Sequence, residues 1–154
     1  MKLIGIIWED FVNYKKTSMT LEMPYCTFKC GSQYCQNSSL AAAPIIDIDS
    51  QKIIEEYLHN DITNAIVLQG LEPMDSFLEV FDFIALLRHN YCCDDDVVIY
   101  TGYNKDEISI QVSELSIFEN IIIKYGRYIP NSIERYDDVL GVKLASNNQY
   151  AEKL

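Results

Sequence analysis

The sequence predicts an α/β fold, either an open, mostly parallel sheet or a partial (βα) barrel. Short apolar runs rich in β-branched residues alternate along the 154 residues with segments whose apolar positions follow helical spacing. This alternation favours right-handed crossovers between parallel strands. There are about five such runs, which is too few for a closed eight-stranded barrel. No linker or internal repeat interrupts the pattern, so residues 1–154 are expected to form a single domain.

The first part of the chain predicts two strands and a helix. Residues 2–8 (KLIGIIW) are apolar and β-branched, which is typical of a strand, and residues 9–18 are expected to form a loop. Residues 19–23 predict a second short strand that leads into a cysteine-rich loop. Residues 50–60 carry apolar side chains at helical spacing, with Ser50 as the expected N-cap.

The rest of the chain continues the alternation. The predicted strands are 64–69, 97–101, 120–125 and 140–145, and the predicted helices are 75–90 and 105–115. The helix at 75–90 has a broad apolar face and either Asp75 or Ser76 as its cap. Because ligands bind at the carboxyl ends of strands in such sheets, the cysteine loop, the GLEP segment and the TGY segment are expected to line one rim.

Composition limits the classes of partner and location. With 12 basic and 23 acidic residues the chain has a net charge of −11, which repels phosphate backbones and argues against nucleic-acid binding. No apolar run approaches the ~20 residues of a membrane span, so no membrane contact is expected. The apolar N-terminus meets Glu9 and Asp10 too early for a secretory signal. We expect a cytoplasmic protein whose five cysteines, an odd number, stay reduced.

Three cysteines are clustered in the stretch PYCTFKCGSQYCQN, at the spacing C-x3-C-x4-C. Thiolates bind soft metals such as zinc, copper(I) or the iron of iron–sulfur clusters. A structural zinc site needs four ligands, and neither His59 and His89 nor the adjacent Cys92 and Cys93 supply the usual spacing for a fourth. A four-iron cluster on three cysteines would leave one iron open to a substrate. From spacing alone a cluster, a zinc site and unmetallated thiols are all open.

These residues resemble the radical S-adenosylmethionine (SAM) superfamily. The C-x3-C start and the aromatic Tyr34 directly before the third cysteine are similar to that superfamily's cluster loop. Cys35-Gln36-Asn37 is similar to the C-[YQ]-N ending of the anaerobic ribonucleotide reductase activating proteins. Further segments resemble motifs of that family in the same order: GLEPMD at 70–75, IYTGY at 99–103, IIIKYGRYIPN at 121–131 and GVKLASNNQ at 141–149. The resemblance covers nearly the whole chain.

Two positions depart from the family's pattern. The usual spacing is C-x3-C-x2-C, so the longer second gap requires two extra residues to bulge out, which Gly31 makes sterically feasible. The second glycine of the usual GGEP motif is replaced by Leu71, whose side chain could restrict the approach of SAM to the backbone.

The resemblance implies a radical SAM type of fold and a set of site residues. The implied ligands of a 4Fe-4S cluster are Cys26, Cys30 and Cys35. The implied contacts with SAM are Tyr34 near the adenine, Gly70, Glu72 and Pro73 at the methionine end, and Thr101 and Gly102 at a strand end. Residues 147–149 are expected either at the polar rim of the site or in a frayed tail. Lys124 and Arg127 are expected on a partner surface or simply in solvent.

The function that the resemblance implies is that of an activase. At the cluster, SAM would be cleaved reductively, and the resulting 5′-deoxyadenosyl radical would abstract a hydrogen from a glycine of a glycyl radical enzyme. The expected partner is an anaerobic ribonucleoside-triphosphate reductase, and the expected electron donor is a flavodoxin or ferredoxin. Two alternatives stand beside it: a radical SAM enzyme acting on a small molecule, and a non-catalytic module that binds zinc or an iron–sulfur cluster.

Overall fold

A computed structural model describes residues 1–154 and shows a mixed α/β fold. The strands are β1 (Lys2–Leu3), β2 (Gly5–Asp10), β3 (Ser18–Met23), β4 (Ile46–Asp47), β5 (Ala65–Gly70), β6 (Asp96–Tyr100), β7 (Ile121–Tyr125), β8 (Arg135–Asp137), β9 (Val142–Leu144) and β10 (Tyr150–Lys153). The helices are α1 (Ser50–Leu58), α2 (Phe77–His89) and α3 (Ser109–Leu115), and 3-10 turns span Ser38–Ala42, Pro73–Ser76 and Lys105–Ile108. None of these helices has the length and apolar character needed to cross a membrane.

The central sheet has six strands in the order β10-β7-β6-β5-β3-β2. The four inner strands, β3, β5, β6 and β7, run parallel to one another, whereas β2 and β10 pair antiparallel at the two edges. Two small antiparallel pairs, β1 with β4 and β8 with β9, lie outside this sheet. The predicted α/β class with a mostly parallel sheet is therefore confirmed.

Both faces of the sheet are buried, which explains the continuous apolar runs of its inner strands. One face packs against the helices through a core of 25 buried residues that includes Ile66 and Leu68 of β5. On the opposite face the alternate side chains Ala65 and Val67 belong to a second cluster, which is closed by residues such as Leu144 of β9. Because successive side chains of a strand point to opposite faces, the period-two pattern divides each inner strand between the two layers.

The first predicted strand is divided in two. Residues 2–8 break at Ile4 into β1 and β2, and β2 continues to Asp10, so the expected loop at 9–18 begins two residues later than predicted. Asp10 is buried and accepts a hydrogen bond from Thr20 Oγ1 of the neighbouring strand (2.7 Å). This contact and a register shift between Ile7 and Asp10 keep the polar end of β2 in the sheet.

All three helices begin differently from the prediction. The helix predicted from residue 105 starts at Ser109, since Lys105–Ile108 forms a 3-10 turn. Asp49, not Ser50, caps α1, because its Oδ1 accepts from the backbone N–H of Gln51 (3.0 Å). The helix predicted from residue 75 starts at Phe77, since Pro73–Ser76 forms a 3-10 turn. Ser76 occupies the N-cap position of α2, but its side chain makes no capping hydrogen bond.

The end of the chain is ordered by pairing that the sequence did not reveal. The strand predicted at 140–145 is β9, whose partner β8 is short and polar. Residues Tyr150–Lys153 form β10 and extend the central sheet along β7. The segment 147–149 therefore connects two strands and is not a frayed tail.

Candidate active site

The carboxyl ends of the four inner strands meet at one edge of the sheet, as expected for parallel strands. The cysteine loop follows β3, the GLEP segment follows β5, the TGY segment follows β6 and the segment GRY follows β7. Together with part of the β8–β9 hairpin, these loops enclose a cavity of about 390 Å³. A volume of this order is typical of sites for small molecules and cofactors.

The cavity brings together residues that the sequence analysis singled out from three separate segments. Its lining includes Cys26, Cys30, Tyr34, Cys35, Gly70, Glu72, Thr101 and Gly102. Of the predicted site residues only Pro73 is left out of the lining, since it is buried at the start of the 3-10 turn that precedes α2. Leu71, which stands in place of the second glycine of the GGEP motif that the segment resembles, also lines the cavity.

The cysteine loop folds into consecutive tight turns. Gly31 N–H donates to Phe28 O (2.8 Å), and Tyr34 N–H donates to Gly31 O (3.0 Å). Gly31 has a φ of +84°, a conformation that costs a residue with a Cβ roughly 1–2 kcal/mol. The extra residues of the second gap are accommodated by these turns, and Cys35 lines the same cavity as the other two cysteines.

The three thiols are free and partly buried. Burial raises the pKa of Cys26 to about 11, and the neighbouring Glu72 and Asp75 carboxyls add to this rise, although Cys26 Sγ accepts from Phe28 N–H. Burial likewise raises the pKa of Cys30. Because thiolates are the ligating form, a cation bound among these sulfurs would compensate for an environment that by itself favours the neutral thiols.

The donor set is compatible with an iron–sulfur cluster. Cys26, Cys30 and Cys35 line one cavity. His59 and His89 lie at the ends of α1 and α2 and line no part of it. Cys92 and Cys93 precede β6 and so belong to the opposite edge of the sheet. Sulfur donors alone, around a space for several atoms, are typical of iron–sulfur sites.

Glu72 joins the GLEP segment to the TGY segment. Its side chain is only 4% exposed; Oε1 accepts from Met74 N–H (3.1 Å) and Oε2 from Gly102 N–H (2.8 Å). Burial raises the pKa of Glu72, and the hydrogen bonds that the carboxylate accepts oppose that rise. Before it, Gly70 has a φ of +101° and passes so close to β3 that a Cβ would lie 2.8 Å from Met23 N.

Lys124 is a site residue that sequence reasoning missed. It was expected on the surface, but it is 7% exposed and lines the cavity. Its Nζ donates to Gly126 O (3.0 Å) and lies 5.8 Å from the centre of the Tyr100 ring. Burial lowers its pKa to about 8, and the charge of Glu72 partly opposes this. The sequence signal that could have indicated this position is a lysine at the carboxyl end of the apolar strand IIIKY.

Arg127 also lines the cavity, but its charge is already paired. Its two terminal nitrogens contact the two carboxylate oxygens of Glu107 at 2.8 and 2.7 Å. This bidentate contact lowers the pKa of Glu107 to about 2. Arg127 therefore remains at the rim, whereas Lys124 lies inside.

The polar segment near the C-terminus shapes the loop after β7. Gln149 is buried, lines the cavity, and donates from Nε2 to Gly126 O (3.2 Å) while its Oε1 accepts from Ser146 N–H (3.1 Å). Asn148 Nδ2 donates to Arg127 O (2.9 Å). Of residues 147–149 only Gln149 reaches the cavity, and Asn147 and Asn148 are exposed outside its lining.

Comparison with known proteins identifies the family of this chain. The model of the 4Fe-4S single cluster domain matches residues 15–150, which include the loops that follow the four inner strands. The chain belongs to the 4Fe-4S single cluster domain family. A curated relative, the anaerobic ribonucleoside-triphosphate reductase-activating protein of Haemophilus influenzae, is 26% identical over 125 residues, which cover 78% of this chain and 79% of the relative.

These matches confirm the resemblance to the anaerobic ribonucleotide reductase activating proteins. They support an iron–sulfur cluster as the cofactor of the family. No solved structure matches this chain, so the radical SAM type of fold stays a prediction.

Proposed function

We propose that this protein is a radical SAM activase that generates a glycyl radical on a partner enzyme, an anaerobic ribonucleoside-triphosphate reductase. The observation that carries the proposal is the convergence of three sulfurs and the GLEP and TGY segments on one cavity at the carboxyl edge of a parallel sheet. The name of the curated relative supports the class of partner. A reduced 4Fe-4S cluster, when bound, supplies the electron for the cleavage of SAM to methionine and a 5′-deoxyadenosyl radical.

In this proposal Cys26, Cys30 and Cys35 are the cluster ligands. The raised thiol pKa values mean that the ligands lose their protons as iron binds, so loading releases protons to solvent. The half-buried positions of all three sulfurs limit access of water to the cluster while they leave the cavity side open.

Two buried charges in the cavity suit the two charged groups at the methionine end of SAM. Both oxygens of Glu72 already accept backbone N–H groups, but a carboxylate has further lone pairs and can accept from an ammonium group. Lys124 uses one of its three N–H donors, on Gly126 O. A carboxylate is the ligand that would use the remaining donors, so the SAM carboxylate is assigned to the Lys124 side.

Tyr34 is assigned to the adenine of SAM, and Thr101 is assigned to the surroundings of Glu72. Tyr34 is 56% exposed and lines the cavity, so its ring is accessible for stacking on an adenine. Thr101 Oγ1 accepts from Tyr103 N–H (3.0 Å), and the Thr101 side chain opposes the rise in the pKa of Glu72, so it favours the charged carboxylate. A flavodoxin or ferredoxin is the proposed source of the electron.

The test is anaerobic production of 5′-deoxyadenosine. The chain is reconstituted with iron and sulfide, reduced, supplied with SAM and compared with Cys30→Ala. Cys92→Ala is the matched control, because Cys92 is exposed and lies at the other edge of the sheet. We expect product from the wild-type chain and the control, and none from Cys30→Ala.

The partner is tested in the same reaction by adding an anaerobic ribonucleotide reductase and recording the electron paramagnetic resonance signal of a glycyl radical. Failure of the wild-type chain to form product, with and without the reductase, would contradict the proposal. Stoichiometric zinc without labile sulfide would favour the binding module instead. Product that consumes a small-molecule substrate but yields no glycyl radical would favour the other radical SAM alternative.

A further inference from the structure

The cysteine loop is hydrogen-bonded to the rest of the protein at a single residue. Residues 26–35 contain no helix or strand. Their hydrogen bonds stay within residues 26–38, apart from those of Thr27. Thr27 N–H donates to Asp75 Oδ2 (2.7 Å), and Thr27 Oγ1 lies 3.2 Å from the Tyr103 hydroxyl. The next connection along the chain is Asn37, whose Nδ2 donates to Gly70 O (3.0 Å).

The two partners of Thr27 also bind each other. The Tyr103 hydroxyl donates to Asp75 Oδ1 (2.7 Å), so both oxygens of this carboxylate are occupied. Asp75 belongs to the 3-10 turn after β5, and Tyr103 follows β6. Thr27, Asp75 and Tyr103 thus form a closed hydrogen-bonded triangle that joins three of the loops around the cavity. We name this triangle the loop clamp.

The Tyr103 ring contacts the loop at a second point. Lys29 Nζ lies 4.7 Å from the centre of the ring, within the range of a cation–π interaction. Thr27 directly follows Cys26, and Lys29 directly precedes Cys30. The two contacts therefore restrain the backbone beside two of the three cysteines, whereas Cys35 lies nearer to the separate connection at Asn37.

We infer that Asp75 and Tyr103 are positioning residues that hold Cys26 and Cys30 where a cluster can bind both. The inference rests on the proposed function for the identity of the bound group, but the clamp itself is a property of the cluster-free chain. Pre-organised ligands lose less conformational freedom on binding. Loss of the clamp leaves the cysteines chemically intact but loosens the backbone that carries two of them.

The experiment compares Asp75→Ala and Tyr103→Phe with Tyr91→Phe. Tyr91 is a matched control because its hydroxyl also donates to a carboxylate, Glu55 Oε1 (3.0 Å), at a surface distant in sequence from the loop. Hydrogen exchange is measured on the cluster-free protein. We expect the Thr27 amide to exchange at least about tenfold faster in Asp75→Ala, because it loses a charge-assisted hydrogen bond. Amides of β5 and all amides of the control should exchange at the wild-type rate.

Two further readouts separate positioning from general stability. In the cluster-free variants, alkylation of Cys26 and Cys30 should accelerate relative to alkylation of Cys35. In the reconstituted proteins, release of iron to a chelator should be several-fold faster in Asp75→Ala and Tyr103→Phe than in the control. Tyr103→Phe keeps the ring and loses only the hydroxyl, so it remains informative if Asp75→Ala folds poorly.

The outcomes are distinct. Unchanged Thr27 exchange in both clamp variants would overturn the clamp, and unchanged iron release would overturn its role in positioning the ligands. If the wild-type chain takes up no cluster, the proposed function fails and so does the positioning role, while the exchange data still decide whether the clamp exists.

Discussion

Replacing Lys124 by methionine should stabilise the protein and at the same time weaken its binding of SAM. The ammonium of Lys124 is buried and makes a single hydrogen bond, to Gly126 O. No carboxylate lies within ion-pair distance of it. Methionine has a similar length and no charge, so it fills much of the same space without the cost of burying a cation.

The size of the effect follows from the pKa. The fall from 10.5 to about 8 corresponds to about 3 kcal/mol by which burial disfavours the charged form. Loss of the hydrogen bond to Gly126 offsets about 1 kcal/mol of this. We therefore expect Lys124→Met to raise the free energy of unfolding at pH 7 by about 2 kcal/mol. Removal of the cation should weaken SAM binding by about tenfold or more, as expected for a lost charge-assisted contact.

Urea unfolding and SAM titration of the reconstituted protein measure the two effects. Lys143→Met is the matched control, because Lys143 also lines the cavity but its side chain is 73% exposed. The control should change neither quantity appreciably. A Lys124→Met protein that is less stable than wild type, or that binds SAM equally well, would refute the reasoning.

The pH dependence provides a second check on the same residue. The folded state holds the Lys124 proton less tightly than the unfolded state, so the unfolded state binds more protons between pH 8 and 10.5. The free energy of unfolding therefore rises with pH across that window, and the cost of burying the charged ammonium is fully present below it. Lys124→Met should lack this rise. SAM binding by the wild-type chain should weaken as pH increases through about 8, if Lys124 binds the carboxylate in its charged form.

Two other substitutions test the backbone contacts that shape the cavity. Gly70→Ala should lower the free energy of unfolding by roughly 2 kcal/mol or more, because a positive φ is strained for alanine and the alanine Cβ would lie 2.8 Å from Met23 N. Urea unfolding measures this loss. A change below the error of the method would contradict the close approach of β5 to β3 at this residue. Gln149→Ala should cost about 1–3 kcal/mol, since it leaves a buried backbone N–H without a partner and removes a donor to Gly126 O. Thermal unfolding with Asn147→Ala as the exposed control measures this, and equal losses in the two variants would show that Gln149 has no special role.

The positions of most of the predicted site residues at one edge of the sheet follow from a topological rule. In a sheet of parallel strands, segments far apart in the chain meet if each one follows a strand. The cysteine loop, Glu72 and Gly102 could therefore be placed at one edge from strand predictions alone. Pro73 is the exception, since its ring is used to start a 3-10 turn and is buried there.

Local sequence patterns predicted the ends of helices and the edge strand less accurately, because individual hydrogen bonds and long-range pairing decide them. The cap of α1 falls on Asp49, one residue before the expected Ser50, and both residue types are common caps. The strand β10 has only four residues, three partly buried and one exposed, which is too few for a periodic signal. Its pairing with β7 is a long-range contact that the segment itself does not encode.

The sequence by itself determined the alternation of strands and helices, the three-thiol loop and the order of the motifs, because these depend on residue type and spacing along the chain. Only the tertiary structure decided which polar groups become buried together. Glu72 meets Gly102 N–H across 30 residues and Thr27 meets Tyr103 across 76. Lys124 lies inside the cavity, although its sequence neighbours only indicate a strand. The physical reason is that burial and hydrogen-bond partners depend on packing between distant segments, which no local periodicity contains.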